Sequence, residues 1–512
     1  YVVIPLASLK PDFGLVTSTT GDAVDSTGAA TTTTATTTYA NPVIGLPTLS
    51  VVDPGGLKLT SANSYETQGA TGSFLRKLTS TLPAGFDAAG STVAQPGGGT
   101  QAATTTYTYY GATEAGPSGT GCSGVASNQA GRMKQRIKAD PDGTGSQSAI
   151  TEEFAYDTSG RTVATRTVGD SDWSCTSYDS RGRVTSQTYP AYINPADATL
   201  NTPARTVTSS YSVSGNPLKT QVSDPNTPTP IMTTVDLLGR VTDYTDSSGY
   251  TTHTDYDVGG RVTTATVKNP SSTTVETLAY TYHTSGSGVN ELATQSLDGT
   301  QVASVTYDSI GRATGYMYGN GTTGTATFDS TYQRPSGLSF ALGATSITSD
   351  AVTRDPRTGM ITDQSVDGVD ANPSGANYGY DKAGRLVSWW QRDPSSGNKY
   401  HGSYNFTGYT GTAPGCANTQ WGRNSNRLSF QRDTYNSGGS LIGSTIDQTC
   451  YDNADRLTAY APQAGANPYA GVTYDGHGNT VNMGGEIHGY DSADRHVITT
   501  APISTTKNAL LV

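Results

Sequence analysis

Charged and apolar side chains are both scarce in this chain. Asp, Glu, Lys and Arg make up 14% of the 512 residues, and the hydrophobic set makes up 34%. That is too little apolar material for one thick, dry core of this size. No run approaches 18 consecutive apolar residues, which excludes a membrane-spanning helix. The net charge is −11 and no basic cluster stands out, so nucleic acid is not an expected partner. An ordinary solvated acidic surface accounts for the charge. Histidine is limited to six residues and no H-E-x-x-H occurs. No G-x-S-x-G occurs either, which removes the nucleophile elbow of the α/β-hydrolases. No metal and no cofactor is expected.

Cysteine is equally sparse. Cys122, Cys175, Cys416 and Cys450 form no C-x-x-C pair, so zinc-finger spacing is absent. Four cysteines allow three pairings. Cys122–Cys175 and Cys416–Cys450 are favoured because the two pairs lie in separate regions; four buried free thiols are the alternative. Disulfides imply an oxidising compartment. The chain starts at Tyr1 rather than Met and ends on Ala509-Leu510-Leu511-Val512, so both ends are expected to continue in a longer polypeptide.

Glycine (60), proline (25) and tyrosine (31, against 8 Phe and 4 Trp) are what the chain has in quantity. Low charge with frequent Gly and Pro would suit disorder. The tyrosines argue otherwise, because they recur in strand-like settings, and Tyr and Thr favour a pleated, half-buried surface. The composition therefore predicts many short strands, polar turns, and a large sheet with one or both faces partly wet.

A search for internal periodicity is decisive. The strings are Tyr156-Asp157-x-x-Gly160-Arg161, Tyr178-Asp179-x-x-Gly182-Arg183, Tyr256-Asp257-x-x-Gly260-Arg261, Tyr307-Asp308-x-x-Gly311-Arg312 and Tyr380-Asp381-x-x-Gly384-Arg385. Val235-Asp236 with Gly239-Arg240 loses the Tyr. Tyr451-Asp452 with Asp455-Arg456, and Tyr490-Asp491 with Asp494-Arg495, carry Asp in place of Gly. Tyr474-Asp475 ends in Gly478-Asn479. Adjacent copies start 22 residues apart (156 to 178), 21 (235 to 256) and 23 (451 to 474). The longer gaps leave room for degenerate copies, Phe328-Asp329 among them.

The motif has a mechanical reading. Tyr ends a strand and lays its ring on the sheet. Asp accepts a backbone N–H two residues on, as in an Asx turn. Gly supplies the positive φ of a tight turn, and Asp tolerates it at some cost. Arg opens the return strand, where it can pair with the Asp or stack on a neighbouring Tyr. Alternation follows, as in residues 184–189 and 262–267, which marks a two-faced strand. Each unit is strand, turn, strand, and such hairpins must stack side by side to be stable.

Tyr-Asp-x-x-Gly-Arg at a spacing near 21 resembles the signature of YD, or RHS, repeats. The chain is similar to bacterial RHS proteins, to the shell of insecticidal ABC toxin complexes and to the β-shell of teneurins. Cys175 and Cys450, each shortly before a motif Tyr, look most like actinobacterial RHS proteins, which supports their use as staples. The match runs from about Tyr156 to Arg495. Residues 1–155 match more loosely, with Val52-Asp53-Pro54-Gly55-Gly56, Tyr65-Glu66 and Tyr107–Gly111 as degenerate copies. The expected organisation is therefore degenerate repeats over 1–155 and one repeat array over 156–512. The resemblance implies an all-β fold, an antiparallel sheet wound into a solenoid or hollow shell. It also implies a secreted or cell-surface container for an unfolded polypeptide, often a toxin. The family's self-cleaving C-terminal segment has no counterpart in these residues, so neither cleavage nor toxin activity is carried over to any of them.

Other chemistry is weaker. Gly319-Asn320-Gly321-Thr322-Thr323-Gly324 fits G-x-G-x-x-G, but a strand rather than a helix follows, so it reads as a hairpin loop. His477, His488 and His496 lie near Glu486, Asp491 and Asp494; loop histidines on a polar surface are preferred to a metal site. Trp389 and Trp390 must point to opposite faces of a strand, where packing is preferred to sugar binding; Trp421 is of similar interest. Residues 31–38, all Thr but for Ala35, read equally as a linker or a strand. Three functions remain. The first is a non-catalytic shell whose partner is its own C-terminal cargo, outside this chain. The second is a surface adhesion protein contacting cell-surface partners or glycans. The third is a carbohydrate-active protein, for which no carboxylate pair stands out.

Overall fold

A computed structural model describes residues 14–41, 45–70, 72–94, 102–143, 145–408, 420–462, 469–470 and 472–500. Among the described residues there are 37 strands, four short 3-10 turns and no α-helix. Every strand pair is antiparallel and joins strands consecutive in sequence, so each of the three sheets runs as a meander. The all-β expectation holds. The Thr-rich stretch lies inside the strand Ala30–Asn41, and Gly319–Gly321 turns the chain between Ala313–Tyr318 and Thr322–Phe328.

In a meander, alternate turns lie along the same edge of the sheet. In each sheet the Tyr-Asp turns therefore collect on one edge, the motif edge. The turns between them collect on the other, the plain edge. Longer motif-edge turns also occur, at 66–76, 110–132, 283–291 and 355–360. Val52–Gly56 behaves differently, since it leads into a plain-edge turn between Leu46–Val52 and Leu59–Tyr65.

The chain forms two compact units. Unit 1 comprises 1–175, 189–204 and 372–512, and unit 2 comprises 176–188 and 205–371. Unit 1 begins with a nine-strand meander from Ser18–Val24 to Thr162–Thr167. Its later part forms a seven-stranded sheet, from Tyr378–Tyr380 to Tyr469–Ala470, and a four-stranded one, from Thr473–Tyr474 to His496–Thr500. The small apolar cores lie in this unit. One joins Ala84, Ala103, Trp421 and Leu428. The other joins Ala155, Ala164 and Trp173, with Cys122 and Val125 packed against it.

The motif ends of the later hairpins are seated on plain-edge turns of the earlier meander. The Tyr380 N–H donates to Asp25 O (2.9 Å) and the Asn453 N–H to Pro141 O (3.0 Å). Arg423 reaches the carbonyls of Leu57, Lys58 and Pro83.

Unit 2 holds a fifteen-strand meander from Arg205–Tyr211 to Val369–Asp370, together with the hairpin residues 176–188. One face carries Thr264, Thr266, Thr277 and Ala279 in register; the other carries Ala265, Val267, Leu278 and Glu276. Ala371 is its one buried apolar residue among those described. This unit has no dry core, so its order rests on ladder hydrogen bonds and on links between turns.

Cys122 and Cys175 form a disulfide, with Cα atoms 5.2 Å apart. It pins the loop 111–131 to the strand Ser174–Tyr178, next to buried Trp173. Cys450 is buried and not a free thiol; Cys416 lies outside the described residues. Replacing Cys122 and Cys175 together by Ser should lower the stability of unit 1 by about 2–4 kcal/mol. Denaturant unfolding followed through Trp fluorescence checks this.

Candidate functional site: the repeat turn and the His477 cleft

The motif residues build one recurring turn, set up by its local sequence. Tyr156 ends the strand Thr151–Tyr156, and the register slips by one residue there. The same slip falls at Tyr256, Tyr307, Tyr380, Tyr451 and Tyr490. Two backbone hydrogen bonds then close the turn. In the first copy they run from Asp157 N–H to Arg161 O (2.9 Å) and from Gly160 N–H to Asp157 O (3.1 Å). The glycine must take positive φ: 84° at Gly160, 79° at Gly182, 83° at Gly260, 85° at Gly311 and 77° at Gly384. Asp455 and Asp494 hold 68° and 59° in the same place, a strain that a short polar side chain tolerates.

The Asp carboxylate organises the turn. In the copy at 257, Oδ1 accepts the Arg261 N–H (2.9 Å) and Oδ2 accepts Arg261 Nε–H (2.7 Å). The same bonds recur in the pairs Asp179–Arg183, Asp308–Arg312, Asp381–Arg385, Asp452–Arg456 and Asp491–Arg495. At Asp475 the arginine is missing and the Asn479 amide takes its place, at 3.0 Å. The backbone N–H of each return-strand Arg is the largest influence holding the carboxyls of Asp179, Asp236 and Asp308 below their ordinary range.

Six of these guanidinium groups also face an aromatic ring of the next hairpin. Arg183 stacks on Tyr211 (4.0 Å to the ring centroid), Arg240 on Tyr256 (4.6 Å), Arg261 on Tyr282 (4.4 Å) and Arg312 on Phe328 (4.1 Å). Arg385 stacks on Phe406 and Arg456 on Tyr474. The tyrosine in turn reaches back. The Tyr256 hydroxyl donates to Val241 O (2.7 Å) and the Tyr282 hydroxyl to Val262 O (2.6 Å). Asp, Arg and the following aromatic thus form a link from turn to turn.

Several linked turns do not spell the motif. Glu66 stands in for Asp and pairs with Arg76, which stacks on Tyr109. Tyr282 and Arg354 open longer turns. For the Glu66 copy the signal was the strand spacing and a downstream Arg; for the turns after Tyr282 and Arg354 it was the strand spacing, not the string itself.

The structure divides the histidine group. His488 and His496 share the Thr499 hydroxyl, 2.9 and 2.7 Å away. His477 is not a loop histidine on a polar surface. Its ring is mostly buried between two carboxylates, Asp170 at 2.9 Å and Asp494 at 2.8 Å. These hydrogen bonds push its pKa up to about 10. A cleft of about 300 Å³ opens beside it, between residues 167–172, 190–195 and the turn at 475–477. Buried Tyr192 donates to Asp475 Oδ2 (2.8 Å), and burial, then this bond, raises its pKa far above the ordinary range. Asp475 also accepts the N–H groups of His477 and Asn479. At neutral pH His477 is a cation held between two carboxyl groups, Tyr192 a neutral donor and Asp475 a fully used acceptor. This arrangement clasps the C-terminal four-stranded sheet to earlier loops, helped by Ser492 Oγ–H to Pro190 O (2.6 Å) and Asn194 Nδ2–H to His488 O (3.0 Å).

Trp389 stacks on Phe430, and Trp390 on His401 with ring centroids 4.4 Å apart. Both tryptophans are half-buried, and Trp421 is fully buried. Among the described residues no group of three or more His, Cys, Asp or Glu is placed to hold a metal ion.

No known family profile matches the chain, and no curated protein does. Among solved structures it is similar to a crystal structure of TcdB2-TccC3, at 13% identity over 91% of this chain and 27% of that one, with a TM-score of 0.43. It is also similar to a Photorhabdus luminescens Tc holotoxin pore, at 11% identity over 93% of this chain and 25% of that one, with a TM-score of 0.35. The chain spans about a quarter of the length of each.

The turn and the clasp each give an expected outcome. An added Cβ at Gly311 meets nothing within 4 Å, so Gly311→Ala tests the φ requirement alone. It should cost about 1–2 kcal/mol, read from chemical denaturation. For His477 the folded pKa lies above the unfolded one. Its stabilisation is complete below roughly pH 6.5 and is lost as pH rises through about 10. The melting temperature should fall across that window. His477→Gln should be less stable at pH 7 by about 1–2 kcal/mol, after allowing for half-exposed Asp494, and should lose less on going to pH 10.

Proposed function

We propose that the chain is a structural, non-catalytic wall segment of a secreted RHS/YD-repeat protein, and that the wall encloses a C-terminal cargo polypeptide. The observation that carries this reading is the turn-to-turn link of Asp, Arg and the next aromatic, repeated in both units. It spends the acidic and basic side chains on joining hairpins. The motif carboxylates are tied into turns. A sheet with one Thr-rich and one mixed face, and little dry core, suits a wetted wall better than a catalytic domain. The disulfide between Cys122 and Cys175 suits an oxidising environment outside the cytosol. The physical role is exclusion: a chain kept behind a hydrogen-bonded wall is not reached by proteases.

The test is mass spectrometry of the full-length protein from its native source, with limited proteolysis before and after denaturation. A domain beyond Val512 that resists protease in the native protein, and is digested once the wall is unfolded, is the expected result. A wall-sorting or membrane segment in that position, with no protected domain, would overturn the reading in favour of a surface adhesin.

A further inference from the structure

Unit 2 carries a row of exposed apolar side chains on each of its two turn edges. On the motif edge these are Leu237 and Leu238 (91% and 78% exposed), Val258, Val289, Ile310 and Tyr332. Leu237, Leu238, Val258 and Ile310 fill the two variable positions of Asp-x-x-Gly turns. In unit 1 those positions are polar or small, as in Lys382-Ala383, Asn453-Ala454 and Ser492-Ala493. On the plain edge of unit 2 the row is Tyr250, Val275, Leu297, Tyr318, Leu342 and Val366, all exposed. Successive turns on one edge are two strands apart, so each row repeats at about 10 Å. The two rows have the same period and run along opposite edges of one sheet.

Isolated surface apolar residues need no explanation, but contiguous ones mark contacts. Unit 1 shows that the two kinds of edge can meet, because there motif ends are hydrogen-bonded through the backbone to plain-edge turns of the same unit, from Tyr380 to Asp25 and from Asn453 to Pro141. The two edges are thus complementary within this chain.

We propose that the motif edge of unit 2 docks on the plain edge of unit 2 in a second copy of this chain. The contact is head-to-tail, so each copy keeps one edge free and the association is open-ended. Five turns at about 10 Å, over a strip about 10–15 Å wide, cover roughly 500–750 Å² per partner, near the lower limit for a specific interface. The association is therefore weak and concentration-dependent. It does not depend on whether the wall encloses a cargo.

Sedimentation velocity of the 512-residue chain tests this, from about 1 to about 100 µM, the range expected for an interface of this size. The mean sedimentation coefficient should rise with concentration without stopping at a dimer. One variant blocks the motif edge, Leu238→Glu with Val258→Glu and Ile310→Glu. The other blocks the plain edge, Leu297→Glu with Leu342→Glu and Val366→Glu. Each alone should stay monomeric, with an unchanged circular dichroism spectrum, and an equal mixture should form a complex of two chains and no larger. Serine at the same positions replaces Glu if a variant fails to fold. A 53.1 kDa monomer at every wild-type concentration would overturn the proposal. So would unimpaired association of either folded variant alone, or a mixture that remains monomeric.

Discussion

The carboxylate of the motif Asp is the group on which this architecture depends. One oxygen accepts backbone N–H groups and so fixes the turn. The other holds the guanidinium of the return-strand Arg. Held flat in this way, the guanidinium offers its face to the aromatic of the next unit, and that aromatic's hydroxyl returns to the backbone beside the Arg. No single part of the link is strong, since partly exposed ion pairs and cation–π contacts are each worth roughly 1 kcal/mol. Its force lies in repetition. In unit 2, where a dry core is absent, the link and the strand ladders set the register between them.

Two departures from the motif show how the turn is adapted. At Asp475 the Arg is replaced by Asn479, which removes the cation from a buried carboxylate. The Tyr192 hydroxyl fills the gap, and a histidine cation sits two residues away. At Asp455 and Asp494 the glycine is replaced by a residue with a side chain. Asp455 pairs with Asn426, and Asp494 pairs with His477. In both cases a strained φ is accepted where the turn must hold a neighbouring segment, and glycine has no side chain with which to do so.

The all-β fold and the repeat were legible because a turn leaves a short, contiguous record. Tyr, Asp, Gly and Arg lie within six residues of one another, and each has a local reason to be there. The copy built on Glu66 was harder to see, because its longer loop preserves the link while breaking the string, and the turns after Tyr282 and Arg354 keep only the strand spacing. The clasp at His477 left no local record at all. Asp170 lies 307 residues away in sequence, and only the return of the chain onto its own earlier turns brings the two together. The plain edge was illegible for a related reason, since its turns share a position in the sheet but no common sequence.

The meander has a mechanical consequence. Each hairpin in unit 2 is bonded to the one before and the one after, with no core beneath. A force pulling its two ends apart along the strand order would load one ladder at a time, as in opening a zipper, rather than shearing many bonds together. Resistance would then come in small, nearly equal steps of one hairpin each. The Arg-to-aromatic stack would part in each step together with the tyrosine hydroxyl bond, because both reach across to the neighbouring turn. Such a wall gives way gradually from an end and can close again in the same order.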